Sequence, residues 1–147
     1  MKKIILTALT VLMIFGLVGC SGDLHDKGLV DGWGVMVWYN TGSDWSNSEW
    51  KALTKVSSTE WTAELTTTGA IDTVRFAITP GNGDWSARYE PNAEKGDFDT
   101  ATGNQIILQT TKPAARSSFA GVAGKKYKLT LVQNPDDFQL YASVKAL

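Results

Sequence analysis

The chain has 147 residues, 14 basic and 15 acidic, with one histidine, one cysteine and a formal charge of −1. A weakly acidic chain with no basic run lacks the electrostatic footprint of a nucleic-acid binder. One cysteine allows no intrachain disulfide and no cysteine-based metal site, so the core must be stabilised by packing alone.

Lys2 and Lys3 form a positive start, Ile4 to Val18 an apolar run, and Leu17-Val18-Gly19-Cys20 closes it. The run is too short, and too near the start, for a membrane span. The segment resembles the signal peptide and lipobox of bacterial lipoproteins, which is processing sequence rather than part of the fold. The resemblance implies cleavage after residue 19, diacylglycerol on the Cys20 thiol and an acylated new N-terminus. Several acyl chains would hold the protein on a membrane, each buried CH₂ adding about 0.8 kcal/mol. Ser21 is not the Asp that signals inner-membrane retention in enteric-type sorting, so the expected location is the outer membrane, on either face. Removing residues 1–19 leaves 128 residues, with 12 basic against 15 acidic side chains once Lys2 and Lys3 are gone. That length suits one domain.

Residues 20–34, polar and Gly-rich, read as a lipidated tether. His25 lies in it as a solvated side chain. Residues 35–147 read as the domain. Val35 to Asn40 is the first strand, with Val35, Val37 and Tyr39 on one face and Met36 and Trp38 on the other. Both faces are apolar, which predicts cover on both sides. Thr41 to Asn47 is a turn cluster with Trp45 at its tip. Ser46 to Val56 carries a capping-box pattern and helical spacing, but also a short strand, Lys51 to Lys55. The period-two alternation of the later segments favours the strand.

Trp61, Ala63 and Leu65 alternate with polar residues as a half-buried strand. Thr67 to Ala70 turns the chain. Thr73 to Thr79 is a strand with Val74, Phe76 and Ile78 on one face and Arg75 on the other. Pro80 to Asp84 is a turn, and Trp85 to Tyr89 the return strand. Pro91 to Asn104 reads as loop and Gln105 to Thr110 as strand. Residues 111–124 form a long connection with a short edge strand at Ser118 to Ala120. Tyr127, Leu129 and Leu131 alternate in the next strand. Asn134 to Asp137 turns the chain, and Phe138, Leu140, Ala142 and Val144 form the last strand. Seven or eight short strands with regular turns and no long helix predict an all-β antiparallel sandwich or barrel.

All six tryptophans fall between Trp33 and Trp85. Trp38 and Trp61 lie within strands and read as core. Trp50 suits core or surface, and Trp33 sits at the domain entrance. Trp45 and Trp85 sit among turn residues, where a large ring costs solvation unless the protein, a partner or a sugar covers it. Indole faces suit sugars, because the ring face is negative and pyranose C–H groups are weakly positive.

Ser43-Asp44-Trp45, Trp61 opening a strand, Val74-Arg75-Phe76, then Trp85 with Pro91-Asn92 form an ordered series. The series resembles the starch-binding domains of amylolytic enzymes and is similar to the domains of outer-membrane starch-binding lipoproteins. The resemblance spans most of Val35 to Val144 and implies an immunoglobulin-like β-sandwich. It also implies a non-catalytic glucan site in which Trp45 and Trp85 cradle adjacent glucoses and Arg75 hydrogen-bonds their hydroxyls. Asp84, Arg88, Tyr89 and Asn92 would be neighbours. Arg75 stands where the family has Lys, which keeps the charge and changes the donor geometry. Val74 replaces an aromatic residue, the spacing from Trp85 to Pro91 is longer, and the first strand lacks a Gly before its loop.

Glu90, Glu94, Asp97 and Asp99 cluster in one loop region. Asp97 and Asp99 could help bind Ca²⁺, but no Asp-x-Asp-x-Asp-Gly framework is present and a solvated loop fits better. No Ser-His-Asp set can be built, and paired carboxylates on loops of a short chain do not make a glycosidase site. The expectation is a binding protein with no cofactor and no metal. Its partners would be a carbohydrate and, through the anchor, a membrane. Two alternatives remain: the aromatic patch binds a protein partner, or the lipoprotein is structural and takes no small ligand.

Overall fold

The computed structural model describes residue 29 and residues 32–41, 44–67, 73–91, 97–109 and 117–147, the side chains of 41 and 44–46 excepted. Ten strands and no helix occur among them. They are β1 (Gly34–Thr41), β2 (Asp44–Ala52), β3 (Thr54–Lys55), β4 (Glu60–Thr66) and β5 (Thr73–Thr79). The second half of the chain adds β6 (Glu90–Pro91), β7 (Ile106–Gln109), β8 (Ser117–Ala120), β9 (Lys126–Gln133) and β10 (Leu140–Ala146). The strands form a four-stranded sheet in the order β2-β1-β5-β8 and a six-stranded sheet in the order β3-β4-β9-β10-β7-β6. Every strand pairing is antiparallel. Two separate sheets around one core make a β-sandwich rather than a barrel.

Alternation builds the core. On the four-stranded sheet Val35, Val37, Val74, Phe76 and Ile78 are fully buried. Leu65, Leu129, Leu131, Leu140 and Val144 of the six-stranded sheet are fully buried as well. Each such side chain stabilises by about 1.5–3 kcal/mol relative to exposure. Trp61 is buried, as its period-two neighbours predict. The predicted edge strand at Ser118–Ala120 is β8, at the rim of the four-stranded sheet.

Several expectations are corrected. The strand β2 begins at Asp44, so Trp45 lies within a strand and not at the tip of a turn cluster. An edge strand needs no apolar alternation; the β1 backbone defines it, from Gly34↔Ala52 to Thr41↔Asp44. The expected strand over Lys51 to Lys55 is split between the two sheets, with Leu53 between its parts. Of Trp85 to Tyr89, only Tyr89 pairs, as a bridge with Ile78. Turn hydrogen bonds at Asp84 hold the intervening residues off the sheet. Glu90–Pro91, expected as loop, is β6, paired with Gln109 and Leu108. Phe138 precedes β10, has φ 57° and is exposed, because the Asn134 turn extends to Gln139. Leu29 and Trp33, within the stretch read as tether, are buried in the core. The Leu29 N–H donates to Gln133 Oε1 at 3.3 Å, and Trp33 packs against Tyr89.

Candidate functional site

The outward face of the four-stranded sheet divides into a covered end and an open end. At the covered end the Trp50 indole lies on Gly34. A Cβ at Gly34 would clash with the Trp50 ring. The indole reaches across β1 and donates Nε1–H to Thr79 Oγ1 on β5 at 3.2 Å. Ala77 and Thr79, on the outward side of β5, are buried there.

The open end carries one row across four strands. Ser48 of β2 is opposite Trp38 of β1, Trp38 is opposite Arg75 of β5, and Arg75 is opposite Ser118 of β8. Directly paired residues share a face. Because Val37, Tyr39, Val74, Phe76 and Phe119 face the core, this row faces outward. Trp38 is half-buried, not the core residue that its place in an apolar strand suggested.

Trp85 completes the site from the loop after β5. Its ring stacks on Trp38 with centroids 5.6 Å apart and 22° between planes. It remains 43% exposed, so the pair offers apolar ring surface to solvent, with Arg75 opposite Trp38 on the neighbouring strand. The loop that places it is tightly built. The Asp84 N–H donates to Gly81 O at 3.2 Å, Thr79 Oγ1 donates to the same carbonyl at 3.0 Å, and Gly83 takes φ 74°. A positive φ of this kind is ordinary for glycine and strained for other residues. The Asp84 carboxylate accepts from the Ser86 N–H at 2.9 Å. The Ser86 hydroxyl first, and this N–H second, hold the Asp84 carboxyl below the ordinary aspartate range.

The expected site residues therefore meet different fates. Arg75 and Trp85 lie at the open end, both next to Trp38. Asp84 is exposed and shapes the loop. The Trp45 backbone lies in β2, three residues before Ser48, or about 10 Å along the strand; its side chain is outside the described residues. Tyr89 is not a surface neighbour: it is fully buried against Trp33. Arg88 Nε sits 3.2 Å from Glu90 Oε2, and Glu90 is only 3% exposed, so Arg88 compensates a buried charge. Asn92, Glu94 and Cys20 lie outside the described residues. Sequence reasoning missed Trp38 as a site residue. The signal for it was parity: if Val35, Val37 and Tyr39 face the core, Trp38 shares the outward face with Arg75.

Asp97 and Asp99 of the acidic loop both accept hydrogen bonds from within the domain. Asp99 accepts from the N–H groups of Ala101 and Thr102 and from Thr102 Oγ1. The Thr102 hydroxyl is the largest of the contacts that lower its pKa. Asp97 accepts from Ser118 Oγ at 2.6 Å. No group of three or more His, Cys, Asp or Glu among the described residues is placed to hold a metal.

No protein-family model matches the chain, and no curated protein matches it. One solved structure does, described as the ligand-induced structure of AmyP-SBD, a starch-binding domain. The match has a TM-score of 0.52 and 14% sequence identity, covering 96% of this chain and 94% of that one. At that identity the likeness establishes a shared β-sandwich fold, while function rests on the site itself.

Proposed function

We propose that the protein binds carbohydrate without transforming it, on the outward face of the four-stranded sheet. The ligand is an α-glucan or a similar neutral oligosaccharide. The observation that carries this reading is the exposed Trp85 ring stacked on Trp38, with Arg75 next to Trp38 in the same row. The indole surface takes the C–H face of a pyranose, and the guanidinium donates to ring hydroxyls in a fixed planar geometry. Trp38 takes the role that the sequence series assigned to Trp45. The nearby backbone of Trp45 leaves room for it as a further contact. The fold shared with a starch-binding domain supports the same ligand class.

The proposed setting is a bacterial lipoprotein, anchored through acylated Cys20 to the outer membrane. Modest single-site affinity, expected when a small ligand loses freedom on binding, is then raised by many copies on one surface. The test is a glycan array with protein lacking residues 1–19 and carrying Cys20→Ser. Binding to α-glucans at millimolar concentration or below supports the reading. Absence of binding to every α-glucan sinks it, and binding of a protein in place of any glycan favours the partner-docking alternative.

A further inference from the structure

Asp97 adds an acceptor to the same row. Its backbone bridges to Ser118 in parallel, and the Phe98 N–H donates to Ser118 O at 2.8 Å. Residue 97 thus occupies a fifth lane beside β8. Its side chain is on the outward surface, because Ser118 faces outward with Arg75 and its Oγ donates to Asp97 Oδ1. The next residue points the other way: Phe98 is buried, with its ring 5.3 Å from that of Phe76. That contact and the Phe98 N–H bond fix residue 97 against the sheet from below.

The row then reads Trp38, Arg75, Ser118, Asp97, an aromatic platform followed by a donor, a hydroxyl and a carboxylate. With strands about 4.8 Å apart, three lanes separate Trp38 from Asp97 by about 14 Å. One pyranose ring does not span that distance. We infer that Asp97 and Ser118 form a second, polar subsite across the sheet from the Trp38–Trp85 platform. It takes the hydroxyl groups of a sugar unit further along the chain, so the site reads an oligosaccharide running across the strands. An ionised carboxylate accepts only, so it suits a ligand rich in hydroxyl donors, and hydrogen bonds to a charged acceptor are the stronger kind. Its negative charge also disfavours uronic or sulfated sugars at that end. This inference rests on the carbohydrate reading and deepens it.

The test compares maltose, maltotriose and maltohexaose on the unsubstituted domain and on Asp97→Asn, Asp97→Ala and Ser118→Ala. Unsubstituted protein is expected to bind the longer chains more tightly than maltose. Asp97→Ala is expected to weaken maltohexaose roughly tenfold or more, the scale of a lost hydrogen bond to a charged group, and to leave maltose within twofold. Asp97→Asn and Ser118→Ala should show the same selective loss to a smaller degree. Thermal melting distinguishes this from unfolding, and if Asp97→Ala melts early, Asp97→Asn is the reporter. Equal weakening for all three sugars, or unchanged maltohexaose binding, overturns the second subsite while the platform stands. No binding of any sugar by the unsubstituted protein overturns the carbohydrate reading and the subsite with it.

Discussion

Trp85 and Trp38 stack at 5.6 Å and 22°, although one comes from a loop and the other from the middle of a strand. The strand supplies a fixed base, and the loop supplies a ring that solvent reaches. The pair is unequal: Trp85 contributes exposed surface, while Trp38 contributes position.

Trp85→Ala should therefore abolish most glucan binding and leave the fold intact. The expected loss is about tenfold or more, the scale of an aromatic anchor worth about 1.4 kcal/mol or above. The melting temperature should change little, because the ring is 43% exposed. The near-UV circular dichroism of the stacked indoles should fall by a similar amount in Trp85→Ala and Trp38→Phe. An unfolded Trp85→Ala protein would show that the ring is structural.

Gly34→Ala should destabilise the sandwich, since the new methyl would enter the Trp50 ring and approach the Lys51 carbonyl at 2.6 Å. Overpacking of this kind costs about 1–3 kcal/mol. In a Trp50→Ala background the same substitution should cost less, with the Lys51 contact remaining. Chemical denaturation of the four proteins measures the coupling. Strict additivity would disprove the contact.

Arg88→Ala should be among the more damaging surface substitutions. It removes the Arg88 guanidinium from the Glu90 carboxylate, which is 3% exposed. Breaking a buried pair costs about 3–5 kcal/mol, and the lower end applies because Arg88 is a third exposed. Adding Glu90→Gln should recover much of the loss. Urea unfolding is the readout, and glucan binding by whatever remains folded should be near that of the unsubstituted protein.

The loop that presents Trp85 should loosen in acid. The Asp84 carboxyl lies below its ordinary value of 3.8 because Ser86 hydrogen-bonds the ionised form. A depressed acid stabilises the folded loop in full above the ordinary value and loses that contribution as pH falls through the folded one. Between pH 6 and 5 the Trp85–Trp38 dichroism should therefore be flat, and it should decline below the ordinary aspartate range. In Asp84→Asn the decline should be smaller. An identical acid transition in both proteins would place the effect elsewhere.

How much was legible varies by element, for physical reasons. Val74, Phe76 and Ile78 alternate cleanly, so the outward aim of Arg75 could be read from the sequence. The same rule gave the Trp61–Leu65 and Tyr127–Leu131 strands. In β1 both faces are apolar, and alternation gives parity without saying which side faces the core, so Trp38 was misplaced. In β2 a polar edge strand carries no periodic signal; pairing with β1 creates it. Trp85 to Arg88 looked extended because its residues tolerate a strand, while the hydrogen bonds of Asp84 decide otherwise. Leu29, beside Val30, and Trp33 stand among glycines and acids, and no period marks them as core.

The seating of Leu29 and Trp33 sets a reach. Leu29 lies nine residues on from Cys20 (29 less 20), and an extended chain covers at most about 3.6 Å per residue. With Cys20 acylated as proposed, Leu29, the first core residue among those described, can stand no more than about 32 Å from the lipid headgroups, about the thickness of the bilayer's own hydrocarbon. On that proposal such a short leash would hold the domain beside the membrane, and a glucan would be captured within about one domain's breadth of that layer. What arrives there, and how densely copies are spaced, would then govern capture more than the affinity of any single site.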